Sequence, residues 1–265
     1  MILRGVSHLH TKYSYDGTLS IRELRDFLIE KNIEFALLTE HSDFIEPNNA
    51  EKFIKDCHNL SDEKFTFIPG FEVPYRDAHI LMIGVNHFVK NGKNSAEDLK
   101  KWKKHAEIAI WAHPHKNRYL LYDAIKAVID GIEVWNSHYD GKRAPRMKVL
   151  NSLSGLRERG QEAVAFAGLD FHRKEHIGGP SIMVEAPNSA KYILEELKKG
   201  EFVLKNEQIT IRSDGAIMKG ILPLVKVQSA YYIFVVTTLK RVSKFVAAMG
   251  LPIPQKLRHN IRKKL

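Results

Sequence analysis

The chain has 265 residues, enough for a barrel-sized core, and its 44% hydrophobic and 27% charged composition excludes wholesale disorder. A single cysteine, Cys57, excludes a disulfide framework and fits a cytoplasmic protein, and the opening MILRGVSHLH lacks the apolar stretch and small-residue cleavage site of a secretion signal. The net charge of +10 belongs to the end of the chain: no Asp or Glu follows Asp214, and the ten Lys/Arg beyond it leave residues 1–214 formally neutral.

Short, nearly continuous apolar runs fall at residues 2–6, 34–39, 65–69, 79–85, 108–112, 131–135 and 163–168, the pattern of strands covered on both faces. Helical periodicity fills residues 19–31, 48–59, 96–106, 120–129, 143–159 and 188–199. Ser20 and Ser95 stand at N-cap positions, and Gly160 and Gly200 just past helix ends. The third and fourth runs are too close for a helix between them. Alternation of this kind predicts a parallel sheet, and seven strands predict a closed or nearly closed α/β barrel.

Metal-competent side chains follow most of these runs. His8 and His10 follow the first, Glu40, His41 and Asp43 the second, Glu72 the third, His113 and His115 the fifth, and Asp170 and His172 the seventh. His79 opens the fourth run instead, which weakens the pattern there. In an α/β barrel the carboxyl ends of the strands share one rim, where active sites lie. Taken singly, each residue has a plain structural alternative: a polar loop residue for His8-Leu9-His10, a solvated carboxylate for Glu72, a core histidine for His79, a turn for AHPH, and a helix cap for Asp170. Jointly they point to a metal site, with ligand atoms all nitrogen and oxygen, which suits manganese, zinc or iron. Glu133 and Asn136 also follow a strand, either holding ligand imidazoles or hydrogen-bonding across the rim. His58, His87, His105, His138, His176 and His259 lie off the pattern; only His138 and His176 are candidates for the pocket edge.

In order along the chain, HLHTKYSYDG, TEHSD, GFEV, HILMIG, AHPH, GLDFH and a closing HIGGPSIMV…LEELKKGEF resemble the motifs of the PHP (polymerase and histidinol phosphatase) superfamily over residues 4–205. The resemblance implies a distorted (β/α)7 barrel like a TIM barrel over residues 1–205, two or three divalent ions (Mn, Zn or Fe), and hydrolysis of phosphate esters by metal-activated water. By motif, His8, His10, Glu72 and Asp170 would hold one ion, Asp16, His41 and His172 a second, and Glu72, His79 and His113 a third. Ser7, Glu40 and Leu169 depart from the family pattern beside these ligands, which bears on substrate detail more than on metal. His115 falls outside the ligand set, because the family's ligand directly precedes Pro114.

Arg118, shortly after Pro114, is the expected cation for phosphoryl oxygens, with a solvated loop arginine as the alternative and Arg76 and Arg143 as substitutes. A metal-bound water, His41 and His115 all remain open as the general acid. The expected activity is a phosphomonoesterase acting on a small phosphorylated substrate such as a nucleotide. A phosphodiesterase or exonuclease on short nucleic-acid ends, and a binding module with a vestigial site, are the alternatives. Residues 206–265 form a basic, partly helical extension open to three readings: an interfacial helix at an anionic membrane surface, a nucleic-acid contact, or a helix packed on the barrel with a basic end. A cytoplasmic protein, peripheral at the membrane if the first reading holds, follows. The sequence carries no signal of oligomeric state.

Overall fold

The computed structural model describes residues 1–249 apart from residues 91, 93 and 94. His259 and the basic residues from Lys256 onward lie outside the described residues.

The chain opens with β1 (Ile2–Leu9), helix α1 (Ile21–Ile29) and β2 (Phe35–Leu38), which pairs parallel to β1. Thr39 interrupts the second run, so that β2 is followed by the short β3 (Glu40–His41), and helix α2 (Pro47–Asn59) comes next. Pro69, which has no N–H to donate, likewise splits the third run into β4 (Thr66–Ile68) and β5 (Gly70–Tyr75). Because of these two breaks the strands sort into two sheets: β2 pairs with β4 in one, and β3 with β5 in the other.

The second sheet continues through β6 (Ala78–Ile83), helix α3 (Ala96–His105), β7 (Ile108–Ala112), the one-turn α4 (Asp123–Lys126) and β8 (Gly131–Asn136). Helices α5 (Ser137–Asp140) and α6 (Met147–Arg157) lead to β9 (Val164–Gly168), which pairs parallel to β8. The circle then returns to β1, since Leu169 N donates to Ser7 O at 2.9 Å, Phe171 N to His8 O at 3.0 Å and His10 N to Phe171 O at 2.8 Å. The result is a distorted α/β barrel resembling a TIM barrel, with seven runs supplying its wall.

Two expectations need correction. The wall is not all parallel: β6 runs antiparallel to both β5 and β7, because a two-residue turn at Arg76–Asp77 leaves no chain for a crossover. The helix expected over 120–129 shrinks to the one turn of α4.

Beyond the barrel, β10 (Ser181–Glu185) pairs antiparallel to β1, and helix α7 (Ala190–Lys199) leads to β11 (Phe202–Lys205). Strands β12 (Thr210–Arg212) and β13 (Ile217–Lys219) extend the same sheet antiparallel, and α8 (Leu222–Ala248) ends the described chain.

Packing follows the sequence pattern. Every residue of β2, β7 and β8 is buried, as strands covered on both faces must be. Outside, Leu24 and Leu28 of α1, Phe53 and Cys57 of α2, Trp102 of α3, and Leu153 of α6 press onto the wall. Ser20 and Ser95 cap α1 and α3 in capping boxes with Glu23 and Asp98, as their positions predict.

Candidate metal centre

The barrel delivers its polar residues to one rim by local backbone devices. In β1 the register against β2 shifts between Ser7 and Leu9, and His8 within that bulge has φ of 61°. His113 (φ 28°) and Asp170 (φ 51°), just past β7 and β9, also occupy left-handed backbone. Non-glycine residues pay on the order of 1–3 kcal/mol for such conformations and cluster at functional sites. The antiparallel course of β6 explains His79. Its start, not its end, lies at the rim, where His79 pairs with Pro74 and Ala112.

Asp16 arrives on a tight loop. Buried Glu40 accepts hydrogen bonds from Thr11 N (3.0 Å) and Thr11 Oγ1 (2.6 Å), and Ser14 Oγ also donates to it. A Cβ at Gly17 would stand 2.0 Å from Thr11 O, so only glycine lets the loop close. Burial pushes the Glu40 carboxyl up to about 7 against these hydrogen bonds.

Glu72 is the hub. Its carboxylate lies 2.5 Å from His79 Nδ1, 3.0 Å from His113 Nε2, 3.3 Å from His41 Nδ1, 3.4 Å from His10 Nε2 and 3.5 Å from His8 Nε2. Asp170 Oδ1 stands 3.7 Å from both His8 Nε2 and His10 Nε2, and Asp16 Oδ2 stands 3.0 Å from His172 Nε2 and 3.5 Å from His41 Nε2. Most of these separations are too long for hydrogen bonds. Two atoms bound to one ion at about 2.1 Å and a tetrahedral angle stand about 3.4 Å apart, which is the spacing seen here.

The donor atoms gather into four overlapping groups: His10, Asp16, His41 and His172; His8, His10 and Glu72; His8, His113 and Asp170; and Glu72, His79 and His113. All nine ligand candidates are thus brought together, with His10 shared between the first two groups. The fit to a cation is tested by what is left unsatisfied. His8 Nε2, His10 Nε2, His41 Nε2 and Asp16 Oδ1 are buried with no hydrogen-bond partner, and a buried polar atom without a partner costs about 1–3 kcal/mol.

Behind this layer Glu133 receives His8 Nδ1 at 2.8 Å, the His113 N–H at 2.7 Å and the Asn136 amide at 2.9 Å. Both readings for Glu133 and Asn136 hold in part: Glu133 orients the His8 imidazole and leaves its Nε2 facing inward, and it also bonds across the rim to the His113 main chain and to Asn136. Burial disfavours a charged His8, but Glu133, Asp170 and Glu72 outweigh it and hold its pKa well above the ordinary value. Burial and the neighbouring His41, His8 and His172 instead hold His10 well below it, despite Glu72. Both Glu72 and Asp170 stay below the usual carboxylate range, because surrounding histidines, His8 first, overcome their desolvation.

Other residues frame the site. His138 and His176, considered for the pocket edge, have rings 4.8 Å apart, and His138 lies 6.5 Å from the His172 ring. Burial, then His138 and His172, lower His176 to about 4. Tyr139, which the sequence reading passed over, has its ring 5.5 Å from His113 and 4.9 Å from His115, and burial followed by the nearby Asp170, Glu72 and Glu133 carboxylates pushes its hydroxyl well up. Its only signal in the sequence was its place just after a strand. His115 sits 6.5 Å from the His113 ring, outside the four groups. Arg118 is exposed in the turn after His113 with φ of 59° and forms no ion pair with the cluster among the described residues.

Two cavities compete for attention. The larger, about 290 Å3 between α6 and β13, is lined by Met147, Leu150, Asn151, Ser154 and small or apolar neighbours, with no titratable side chain. The smaller, about 130 Å3, opens onto Tyr15, His41, Asp43, Phe44, Glu72, Pro74 and His79. Chemistry decides for the smaller one.

A barrel whose rim gathers six imidazoles and three carboxylates around unsatisfied buried nitrogens has the donor set of a metal site. The chain belongs to the PHP domain family, whose domain matches residues 7–204. Members of this family are in general metal-dependent phosphoesterases. Among solved structures, PsfC from Pseudomonas syringae PB-5123 is similar in fold, with a TM-score of 0.54 and 13% identity over 88% of this chain and 98% of that chain. No curated protein matches the sequence.

Proposed function

We propose that the protein hydrolyses phosphate monoesters of small molecules, nucleotides among them, with divalent ions at the rim. The observation that carries this reading is the shared carboxylate of Glu72 among five imidazoles, three of which keep a buried Nε2 without a partner. The ions would be held by His8, His10, Glu72 and Asp170, by Asp16, His41 and His172, and by Glu72, His79 and His113. When bound, such ions activate water and neutralise charge building on the phosphoryl oxygens.

The remaining work falls to the chain. Glu133 keeps the His8 imidazole in one orientation and anchors the main chain at His113. Tyr139, with its ring against His113 and His115, borders the same site. His115, outside the ligand groups and at the rim, is the residue proposed to protonate the leaving oxygen. Arg118, in the same turn, is proposed for the non-bridging oxygens. A cavity of about 130 Å3 suits a terminal phosphoryl group better than an internal diester, which favours monoesters over nucleic-acid ends.

The test is elemental analysis of protein purified without chelator, joined to a manganese-supplemented assay on mononucleotides, sugar phosphates and short oligonucleotides. Bound ions with phosphate released from the small esters are expected. Unchanged metal content and turnover in a His8→Ala/His10→Ala double variant would refute the assignment of the site.

A further inference from the structure

The described chain exposes sixteen large hydrophobic side chains, and ten of them lie between Met218 and Met249. Along α8, Val227, Tyr231, Phe234, Val242 and Phe245 are 63%, 64%, 69%, 52% and 65% exposed. At about 100° per residue these five share one face of the helix. Among the described side chains of the segment Leu222–Val246 only Val225 and Ser229 are buried. Exposed Lys226 and Lys244, about five turns apart, line one flank of that apolar stripe, and Arg241 lies beside it.

The opposite face is attached to the barrel. Val225 and Ser229 are buried, the Tyr232 ring fills the space beside Gly141, where a Cβ would stand 2.7 Å from it, and the Tyr232 hydroxyl reaches His138 O at 3.5 Å. Gln228 bonds to Gln208. His138 belongs to the same rim as His172 and His176. The first turns of α8 therefore sit against the rim that carries the polar cluster.

We infer that α8 is an interfacial helix that docks the protein on an anionic bilayer, apolar stripe down, with the rim held beside the headgroups. Charge complementarity selects the occupant. No acidic residue follows Asp214, so nothing on this stretch opposes the ten basic residues, and a polybasic segment is drawn to anionic lipid. In length and composition Leu222–Val246 could cross a bilayer, but Val225 and Ser229 are buried against the barrel and the Tyr232 contact holds the first half of the helix there, so a span would require its release. A helix lying in the headgroup region with its exposed stripe toward the lipid needs no such release.

Co-sedimentation of the full chain with phosphatidylglycerol–phosphatidylcholine vesicles at low salt tests this. Binding is expected, with little to pure phosphatidylcholine and less at high salt. The Arg241→Glu/Lys244→Glu variant, altered only at exposed positions, should bind at least about 30-fold more weakly. Phe234→Asp/Phe245→Asp should not bind at all. Circular dichroism and bound-metal content of both variants should match the parent protein. Failure of the full chain to sediment with anionic vesicles overturns the proposal. So does a dimer in light scattering that the Phe234→Asp/Phe245→Asp variant splits while vesicle binding stays absent, since the stripe would then belong to a second copy. Because these readouts do not involve turnover, they stand or fall apart from the proposed reaction.

Discussion

At the barrel rim His8, His10 and Glu72 are withdrawn from water (0%, 0% and 3% exposed) although each has an ionisable head, whereas along α8 Tyr231, Phe234 and Phe245 stand in water although each is largely apolar. The two regions depart in opposite senses from the rule that governs the rest of the chain, where α1, α2 and α3 each bury an apolar face and expose a charged one. Both departures cost free energy in the isolated chain: the rim through unsatisfied polar atoms, the helix through apolar area left in water. Each cost would be relieved by a partner of matching chemistry, as proposed above: a cation for the rim and a lipid surface for α8. Local violations of otherwise consistent rules are where function is expected.

The comparison is tested hardest at its shared carboxylate. Glu72→Ala removes the group common to five imidazoles, so metal content should fall together with phosphatase turnover. The loss should exceed the roughly 10–100-fold typical of residues that only orient ligands. Manganese should raise the melting temperature of the parent protein, as any ligand of the native state does, and leave that of Glu72→Ala unmoved. Equal melting shifts in both proteins would mean that the ions stabilise the fold from elsewhere, and the rim would lose its claim to be the exception.

A smaller effect sharpens the same side. Gly168 touches no ligand head, yet a Cβ there would stand 1.8 Å from Glu133 Oε1 and 2.8 Å from His8 Cβ. Gly168→Ala must therefore displace Glu133 from His8 Nδ1, and metal affinity measured by titration should weaken about 10–100-fold. Glu133→Gln should weaken it by a similar factor, since an amide holds the His8 imidazole and the His113 main-chain N–H less well than a carboxylate. If Gly168→Ala binds metal like the parent, the inner layer is pre-organised without Glu133.

Much of this was legible in the sequence, and the gaps have physical causes. Strands buried on both faces read as continuous apolar runs, so the seven wall segments and the residues after them could be placed from hydropathy alone. Direction could not. Periodicity is the same for a strand read either way, so His79, at the start of an antiparallel strand, looked out of place although it faces the same cluster. The bulge at His8 and the left-handed backbone at His113 and Asp170 leave no mark in composition, because only the tertiary contacts hold them. Glu133 could be placed at a strand end but not assigned, since a carboxylate there serves equally to brace imidazoles or the rim. Strands β12 and β13 are three residues each and partly exposed, too short to show alternation. In the tail, charge asymmetry was plain, while the attachment through Tyr232 to Gly141 rests on a contact between distant segments.

The smallest effect belongs to a region that breaks no rule, and it serves as the control for the other two. At the start of α1, Glu23 N donates to Ser20 Oγ at 3.3 Å, and the Glu23 carboxylate accepts from Ser20 N at 2.7 Å. Ser20→Ala should cost about 1 kcal/mol, read as a lower melting temperature, and should change neither metal content nor vesicle binding. The hydrogen bonds from Ser20 hold Glu23 down at about 2, below its ordinary 4.5. A depressed carboxylate stabilises the fold above its unfolded pKa, and that contribution disappears as pH falls through the folded one. The melting difference between parent and Glu23→Gln should accordingly be full near neutrality, shrink once pH drops below about 4.5, and close near pH 2. A difference that grew on acidification would mean that the carboxylate strains the cap instead of completing it.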